Sequence, residues 1–371
     1  MFGEIQVHAL NTGIDFLRLL FRPWLEQRCR TCLRSARRHF LTDRICADCA
    51  TSDLHPFTSS AGYPEQLRVS VHEITGGASR GSAGHDAIVL NSGGKDSLYM
   101  LTRLRREFPE LRLLSVTYDN GLLNVLSLRN IEAVCIAGGI ESLIVRPDPA
   151  IYRALIGHGI AASGSVGCYR VDSMDGAIFR DLASLMAVER SIPLIFCGHT
   201  WAQTRTILGI DDFQLPVDYL ATDRADYFGI PVADIFGDAT DHVWKGSLVS
   251  PTAIPQWIFP MHGWRPSQGE IERYLKQAGI EPARVKQYFT GNALQSVFLL
   301  HDWRNLGYFS YEAEAALMLR HGLIDRAEWC RIYALMEIVG RSDFLTRALC
   351  EAPLKQFGLS YADLFAPRGR T

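Results

Sequence analysis

The chain has 371 residues, 47% of them hydrophobic, and a formal net charge of -2. This length allows one large hydrophobic core or two to three smaller units, and the near-neutral charge argues against a surface that binds nucleic acid throughout. No run of about eighteen apolar residues is present, which argues against a membrane-spanning helix. Because the opening "MFGEIQVHAL" carries an acid where a secretory signal carries positive charge, we expect a cytoplasmic protein.

An amphipathic helix is predicted near the N-terminus. Ile14, Leu17, Phe21, Trp24 and Leu25 fall at helical spacing. An apolar stripe of this kind is most often buried. We therefore expect the helix to pack on the cysteine-rich segment that follows it or on the main domain.

Four of the nine cysteines form two C-x2-C pairs, at Cys29, Cys32, Cys46 and Cys49. In a cytosolic chain such cysteines are more often metal ligands than disulfides, and two pairs complete a tetrahedral all-thiolate site. We predict a structural Zn²⁺ ion that substitutes for a core in this short segment. Five arginines lie in the same segment: Arg30, Arg34, Arg37, Arg38 and Arg44. Such a surface suits RNA phosphates, but it is also typical of a solvated or docking face, and both interpretations stay open.

Composition and pattern divide the chain into predicted domains. Residues 51–85 are rich in Ser, Gly, Pro and Thr, and we interpret them as a linker after an N-terminal element at 1–50. Over residues 86–265 the strand-like runs "AIVLN", "RLLSVTYDN", "SLIVRP" and "PLIFCG" alternate with helical segments, which is the order of a doubly wound parallel α/β sheet. Residues 266–371 are predicted to be a helical C-terminal region.

The stretch "AIVLNSGGKDSLYML" places a short polar loop between a buried strand and a helix. Residues 88–90 predict the strand, and Leu98, Leu101 and Leu104 predict one face of the helix. The loop contains Ser92, Gly93, Gly94, Lys95, Asp96 and Ser97. Its glycines let the backbone approach a ligand, and the helix N-terminus favours an anion, so the loop suits a phosphate. It lacks the Walker A spacing, and the acid that follows the lysine suggests Mg²⁺ nearby.

"SGGKDS" after a buried strand resembles the PP-loop of the adenine-nucleotide alpha-hydrolase superfamily. Members of that superfamily cleave ATP between the α and β phosphates and adenylate a substrate oxygen. The resemblance implies that the six loop residues hold pyrophosphate, with Lys95 and Asp96 in catalytic roles and with ATP and Mg²⁺ bound. The rule that open α/β sheets bind ligands at the carboxyl ends of their strands makes Asp119 and Asn120, in "TYDNG", candidates for the nucleotide edge.

Two later stretches also resemble this superfamily. In "IPLIFCGHTWAQT", Gly198 and His199 match a turn that lines the ATP site in relatives. The stretch "GCYRVDSMDGAIFRDLASLMAVERSIP" resembles a segment in which relatives carry Cys-x-x-Cys, but here only Cys168 is present. Because Cys135 and Cys197 lie in apolar strings that predict burial, Cys168 has no evident partners for an iron–sulfur cluster. It is a candidate catalytic sulfur carrier or simply a small residue at a turn.

Across most of its length the chain is most similar to the N-acetyl sugar amidotransferase family of lipopolysaccharide and other surface-polysaccharide synthesis. The resemblance includes the paired cysteines, the loop, "GGIESLIVRPDPAIYRALI" and a C-terminal segment with Arg320, Gly322 and Arg326. It implies that an acetamido oxygen of a sugar-type substrate is adenylated and that ammonia then displaces AMP. No glutaminase signature is visible, so we expect ammonia from a separate partner subunit, and we expect a homo-oligomer.

Two other functions stay open. The first is an ATP-dependent sulfurtransferase that thiolates tRNA or a small-molecule amide, with Cys168 as the sulfur carrier. The arginines of the paired-cysteine segment suit a tRNA partner in that case. The second is a regulator that binds nucleotide without releasing pyrophosphate and uses its zinc element for docking.

Overall fold

The computed structural model describes residues 2–51, 62–77, 84–162, 170–280 and 292–365. By their internal contacts these residues form two units. The first, which we call the cysteine unit, contains residues 2–51 and 294–365, and the second, the sheet unit, contains the rest. Within the described ranges no helix is long and apolar enough to span a membrane.

The helices and strands are as follows. The strands are β1 (Leu41–Thr42), β2 (Ile45–Cys46), β3 (Ala87–Leu90), β4 (Leu113–Tyr118), β5 (Glu141–Val145), β6 (Leu194–Phe196), β7 (Asp226–Tyr227), β8 (Ile230–Pro231) and β9 (Gln256–Ile258). The helices of the first half are α1 (Phe2–Leu20), α2 (Ala47–Thr51), α3 (Tyr63–Gly77), α4 (Lys95–Glu107), α5 (Val125–Gly138), α6 (Pro149–Ala162) and α7 (Arg170–Glu189). Those of the second half are α8 (Trp201–Ile207), α9 (Val217–Ala221), α10 (Val232–Phe236), α11 (Pro260–Trp264), α12 (Gln268–Gln277), α13 (Leu294–Leu306), α14 (Glu312–Arg320), α15 (Arg326–Arg341) and α16 (Asp343–Gln356).

The sheet unit is built on five parallel strands in the order β5-β4-β3-β6-β9. The chain starts at the central strand β3, moves outward through β4 to β5, and then crosses to β6 on the other side of β3. This reversal leaves a crevice at the carboxyl ends of β3 and β6, where open α/β sheets bind ligands. The predicted parallel α/β fold is confirmed, and the four predicted strands correspond to β3, β4, β5 and β6.

Helices cover both faces of this sheet, which explains why its strands are apolar on both sides. On one face Val89 lies in a core with Leu98 and Leu101 of α4. On the other face Ile88 lies in a second core with Ala183 of α7. The α4 leucines are fully buried, so the helical face expected from their spacing is confirmed.

Part of the predicted linker at 51–85 is the packed helix α3. Tyr63, Leu67 and Val71 repeat every four residues on one side of this helix and are buried in the core that also contains α4. The Tyr63 hydroxyl donates to the backbone oxygen of Pro260 at 3.1 Å, and a side chain at Gly263 would collide with the Tyr63 ring. The polar composition around α3 conceals this short apolar stripe. The domain boundaries proposed from the sequence stay predictions.

The predicted N-terminal helix is present as α1, but its packing partner is in the C-terminal part of the chain. It packs on α15, with Ile14 buried and Asp15 in an ion pair with Arg331 at 2.9 Å. The apolar spacing favours packing on the cysteine element or on the main domain instead. The apolar spacing predicts that a face is buried but does not identify the surface that covers it.

A buried ion-pair cluster joins the start of the cysteine unit to its later helices. The Arg28 guanidinium lies 2.8 Å from Glu312 and 2.7 Å from Glu337, and both carboxylates are almost completely buried. Backbone amides of Ser35 and Glu26 donate to the remaining carboxylate oxygens at 2.9 and 2.8 Å. The cluster is therefore compensated by hydrogen bonds as well as by charge, as a buried ion pair must be.

We expect Arg28→Met to destabilise the cysteine unit by about 3–5 kcal/mol, because it leaves two buried carboxylates without their cation. The measurement is the denaturant midpoint of the full-length protein. Arg18→Met is the control, since Arg18 forms a partly exposed pair with Asp15 and its loss should cost less than about 1 kcal/mol. Equal midpoints for the two variants would contradict this role for Arg28.

Candidate functional site

The structure brings the four predicted metal ligands together. The sulfur atoms of Cys29, Cys32, Cys46 and Cys49 all lie within 4.8 Å of one another, and those of Cys32 and Cys46 are 3.5 Å apart. Four thiolates around one ion at bonds of about 2.3 Å would be about 3.8 Å apart. A four-iron cluster places a cage of iron and sulfide between its cysteines and needs a wider arrangement. The cluster can therefore bind a metal, and its dimensions suit a single ion.

The protonation of these thiols depends on burial and on nearby amides. Burial raises the pKa of Cys29, but the backbone amides of Cys32, Cys46 and Thr31 outweigh this effect and lower it to about 7. Burial raises the pKa of Cys49 to about 12, and it also raises that of Cys32. Cys29 therefore ionises more readily than Cys32 and Cys49, and metal binding must displace protons from those two thiols.

The predicted phosphate loop lies at the crevice between β3 and β6. Gly94 is the residue before α4, and no side chain caps this helix N-terminus. The amides of the first helical turn therefore remain available to an anion. Gly198, just past β6, borders the same turn, because a β-carbon at this position would lie 3.6 Å from Ser97 Cα.

Asn91, which sequence reasoning passed over, holds the loop in shape. Its buried side-chain oxygen accepts from the Gly93 amide at 3.0 Å and from the Ser97 hydroxyl at 3.2 Å. Its side-chain nitrogen donates to Ser115 of β4 at 3.2 Å. The loop is thereby fixed to the neighbouring strand. A polar residue at the end of an apolar strand is the sequence signal for this role.

Lys95 and Asp96 neutralise each other at the start of α4. The Lys95 ammonium lies 2.9 and 3.0 Å from the two carboxylate oxygens of Asp96, and both side chains are about one third exposed. The pair is accessible from the crevice. A phosphate or a metal ion that binds there must compete with this ion pair.

Asp119 and Asn120 lie at the carboxyl end of β4, but their side chains are already engaged. Asp119 accepts from the Gly121 amide at 2.8 Å and forms an ion pair with Arg146 at 2.8 Å. Asn120 accepts from the side chain of Asn292 at 3.1 Å. In this arrangement both residues shape the turn after β4, and their contact with a nucleotide stays a prediction.

His199 lies beyond the end of β6 with its ring stacked on Phe259, at a centroid distance of 5.7 Å. Its Nδ1 is buried and has no hydrogen-bond partner among the described residues. Burial lowers the pKa of His199 to about 3, and the positive charge of Arg180 contributes to this shift. The imidazole is therefore neutral at physiological pH.

Helix α7 carries two ionisable side chains, Arg180 and Asp175, whose buried polar atoms sequence reasoning missed. Arg180 is only 5% exposed, and neither Nε nor Nη1 has a hydrogen-bond partner in the described part of the chain. The Oδ1 atom of Asp175 is also buried without a partner there. Burial raises the pKa of Asp175 to about 8, and the neighbouring Asp172 adds to the effect. In the sequence, the signal for these two residues is the presence of charged residues within the long apolar pattern "VDSMDGAIFRDLASLMAVE".

Cys168 is the cysteine proposed as a sulfur carrier. Cys168 lies outside the described residues. Cys135 and Cys197 are buried, as their apolar surroundings predict. Burial raises the pKa of the Cys197 thiol to about 11, which makes it a poor nucleophile.

No protein-family model and no curated protein matches this chain. Among solved structures, the U34-tRNA thiolase NcsA of Methanococcus maripaludis, with its [4Fe-4S] cluster, has 15% identity and a TM-score of 0.37, covering 85% of this chain and 89% of that one. The NH3-dependent NAD synthetase of Campylobacter jejuni has 13% identity and a TM-score of 0.33, covering 76% and 95%. The NMN synthetase of Francisella tularensis has 12% identity and a TM-score of 0.37, covering 78% and 97%. All three are enzymes, but likenesses this distant carry no argument about the activity of this chain.

We expect Cys46→Ser to lose the metal of the cysteine unit, because a hydroxyl replaces one of four thiolate ligands. Metal content per chain, measured by elemental analysis for zinc and iron together, should fall from about one ion to near zero. Cys330→Ser is the control, since Cys330 lies on α15 outside the cluster. An unchanged metal content in Cys46→Ser would show that the cluster is not the binding site.

Gly93→Ala should distort the phosphate loop, because Gly93 has a φ of 71° and a β-carbon there would lie 2.4 Å from the Ser127 carbonyl oxygen. We expect a loss of about 1–3 kcal/mol in stability and a large loss of ATP affinity, measured by thermal melting and calorimetry. Gly209→Ala is the matched control, since Gly209 has a similar φ of 69° but open space around it. ATP affinity that changes equally in both variants would contradict this account.

Proposed function

We propose that this protein is an AMP-forming amidotransferase that adenylates an amide oxygen of a sugar-type substrate and replaces it with nitrogen derived from ammonia. One observation carries the first half of this proposal. The "SGGKDS" loop opens α4 at the crevice between β3 and β6, with an uncapped helix N-terminus facing that crevice. The choice of nitrogen and of a sugar rests on the sequence resemblance.

The loop residues would act on the departing pyrophosphate. The free amides of the first turn of α4 and the Lys95 ammonium hold its negative charge, which lowers the barrier to cleavage between the α and β phosphates. For this the Lys95–Asp96 ion pair must open, so that Lys95 contacts phosphate and Asp96 faces a metal ion. Mg²⁺ bound there would supply further charge neutralisation.

The reaction would proceed in two substitutions. First, the substrate amide oxygen attacks the α phosphorus, pyrophosphate leaves and the amide nitrogen loses a proton, so that the amide carbon now carries an AMP ester. Second, ammonia adds to this carbon and AMP departs, which leaves an amidine. Ammonia would come from a separate subunit.

The cysteine unit supports a structural role for zinc. The thiolate spacing suits one ion, and the four ligands are buried. Two arginines of this segment are already paired, Arg34 with Asp48 and Arg37 with Glu26. This pairing favours a docking or solvated surface over binding of RNA, and it weakens the case for tRNA thiolation.

The test is pyrophosphate release from Mg-ATP by the purified protein, with acetamido sugars and UDP-linked acetamido sugars as acceptors, and with ammonium compared with a persulfide donor. We expect ammonium-dependent release, and we expect Lys95→Ala and Asp96→Asn each to lower it by about 100-fold or more, because both remove charge stabilisation at the loop. Lys276→Ala and Asp234→Asn, at exposed positions on other helices, are the matched controls.

Three other outcomes of this assay would change the proposal, each in a different way. Release that requires the persulfide donor, with bulk tRNA as acceptor, would replace the amidotransferase proposal with thiolation. ATP binding without any pyrophosphate release would indicate a nucleotide-binding regulator. Unchanged release in both loop variants would remove the roles assigned to Lys95 and Asp96.

A further inference from the structure

Arg180 reaches toward the crevice at the carboxyl ends of the strands. Helix α7 leads into the amino end of β6, so its N-terminal half lies toward the other end of the sheet. Helical side chains lean toward the helix N-terminus, and Nη1 of Arg180 lies 3.9 Å from where a β-carbon of Gly176 would be, one turn back. Just beyond β6, its positive charge partly opposes the burial that raises the pKa of Cys197, and it adds to the burial that lowers the pKa of His199.

This guanidinium is buried without the anion that such burial requires. It is 5% exposed, and its Nε and Nη1 atoms have no hydrogen-bond partner within the described ranges. The adjacent Asp181 cannot serve, because its carboxylate is held by Arg224 at 2.7 Å and by the Tyr227 hydroxyl at 2.6 Å. An unpaired buried charge is strongly unfavourable in a folded protein unless a ligand compensates it.

A second unpaired group lies near Arg180 at the same edge. The Nδ1 atom of His199 is buried and has no partner in the described part of the chain. Because its imidazole is neutral, Nδ1 can carry a proton and donate it to an oxyanion. Gly198, next to it, borders the first turn of α4. His199 therefore lies near the phosphate loop.

The loop and Arg180 approach the crevice from opposite faces of the sheet. Helix α4 contributes to the core on one face, and α7 contributes to the core on the other. An anion at Arg180 is thus best supplied by a molecule other than the nucleotide whose pyrophosphate occupies the loop. A planar guanidinium suits a carboxylate or a phosphate, both of which accept two parallel hydrogen bonds.

We propose that Arg180, together with His199, forms an oxyanion subsite for the acceptor, so that the molecule adenylated by this protein carries a carboxylate or phosphate group. The proposal rests on the proposed function, because it identifies the second ligand as the acceptor. Arg180 would act in binding and orientation and would not touch the reacting phosphorus.

The first test is the stability of the ligand-free protein. Arg180→Met removes an unpaired buried charge and keeps an apolar stem of similar length, so its melting temperature should equal or exceed that of the wild type. Arg224→Met, which breaks the pair with Asp181, should melt at a lower temperature. A lower melting temperature for Arg180→Met would mean that Arg180 has a protein partner, and it would overturn the proposal.

The second test measures anion binding while a nucleotide occupies the phosphate loop. The full-length protein is saturated with Mg²⁺ and α,β-methylene-ATP and then titrated with inorganic phosphate, acetate, N-acetylglucosamine 6-phosphate, N-acetylmuramic acid and neutral N-acetylglucosamine. We expect at least one of the four anions to bind the wild type, neutral N-acetylglucosamine to bind more weakly, and Arg180→Met to lose about tenfold or more in anion affinity. Arg180→Lys should recover part of that loss, and Arg180→Met should bind the nucleotide normally.

Two other results would contradict the subsite proposal. If none of the anions binds the nucleotide-loaded wild type, the subsite does not exist. If Arg180→Met instead loses affinity for the nucleotide, the anion that Arg180 binds is a phosphate of ATP, and the assignment to the acceptor is wrong. Neither result depends on turnover, so failure of the subsite is distinguishable from failure of the amidotransferase proposal, which pyrophosphate release tests.

Discussion

The central position of β3 is the constraint on which the candidate site depends. β3 pairs in parallel with β4 on one side and with β6 on the other, so three carboxyl ends meet at one edge of the sheet. Parallel strands require long crossovers, and these crossovers place α4 on one face and α7 on the other. The loop after β3, the turn after β4 and the turn after β6 are therefore brought together by topology. No contact between their side chains is needed to assemble them.

The scaffold and the candidate site of the sheet unit differ in whether their buried polar groups have partners. Asp119 and Asp181 are buried and paired with arginines, so removal of either partner should affect the fold. Arg180 is buried, His199 and Asp175 are partly buried, and each carries a buried polar atom that no described residue satisfies. A protein tolerates such unsatisfied groups where a ligand satisfies them, and the free energy that they cost is supplied by the rest of the core.

Local patterns in the sequence predict the helices, the strands and the cysteine cluster. The partners of the site's charged residues are distant in sequence and cannot be predicted in this way. The spacing of Leu98 and Leu101, the apolar runs of the strands and the C-x2-C pairs are contained within short windows, and each corresponds to an observed feature. Arg180 and Asp181 are neighbouring charged residues in the sequence, yet Asp181 contacts Arg224, 43 residues further along, and Arg180 contacts no such partner among the described residues. Only the folded structure shows which charged side chain has an ion-pair partner. The same limit applies to α1, whose partner α15 lies some 300 residues away along the chain.

The four-cysteine cluster is tied to the rest of the cysteine unit and does not form an independent element. A metal ion bound by the four thiols would close loops within residues 29–49 and would restrain that segment alone. Its attachment to the later helices comes from Arg28 with its two buried glutamates and from Arg320, which lies 3.2 Å from Asp48, the residue before Cys49. This ion pair gives Arg320 a structural role. A metal that orders residues 29–49 also positions Asp48 and Arg28 for these long-range pairs, so metal binding and packing of the helices should be coupled.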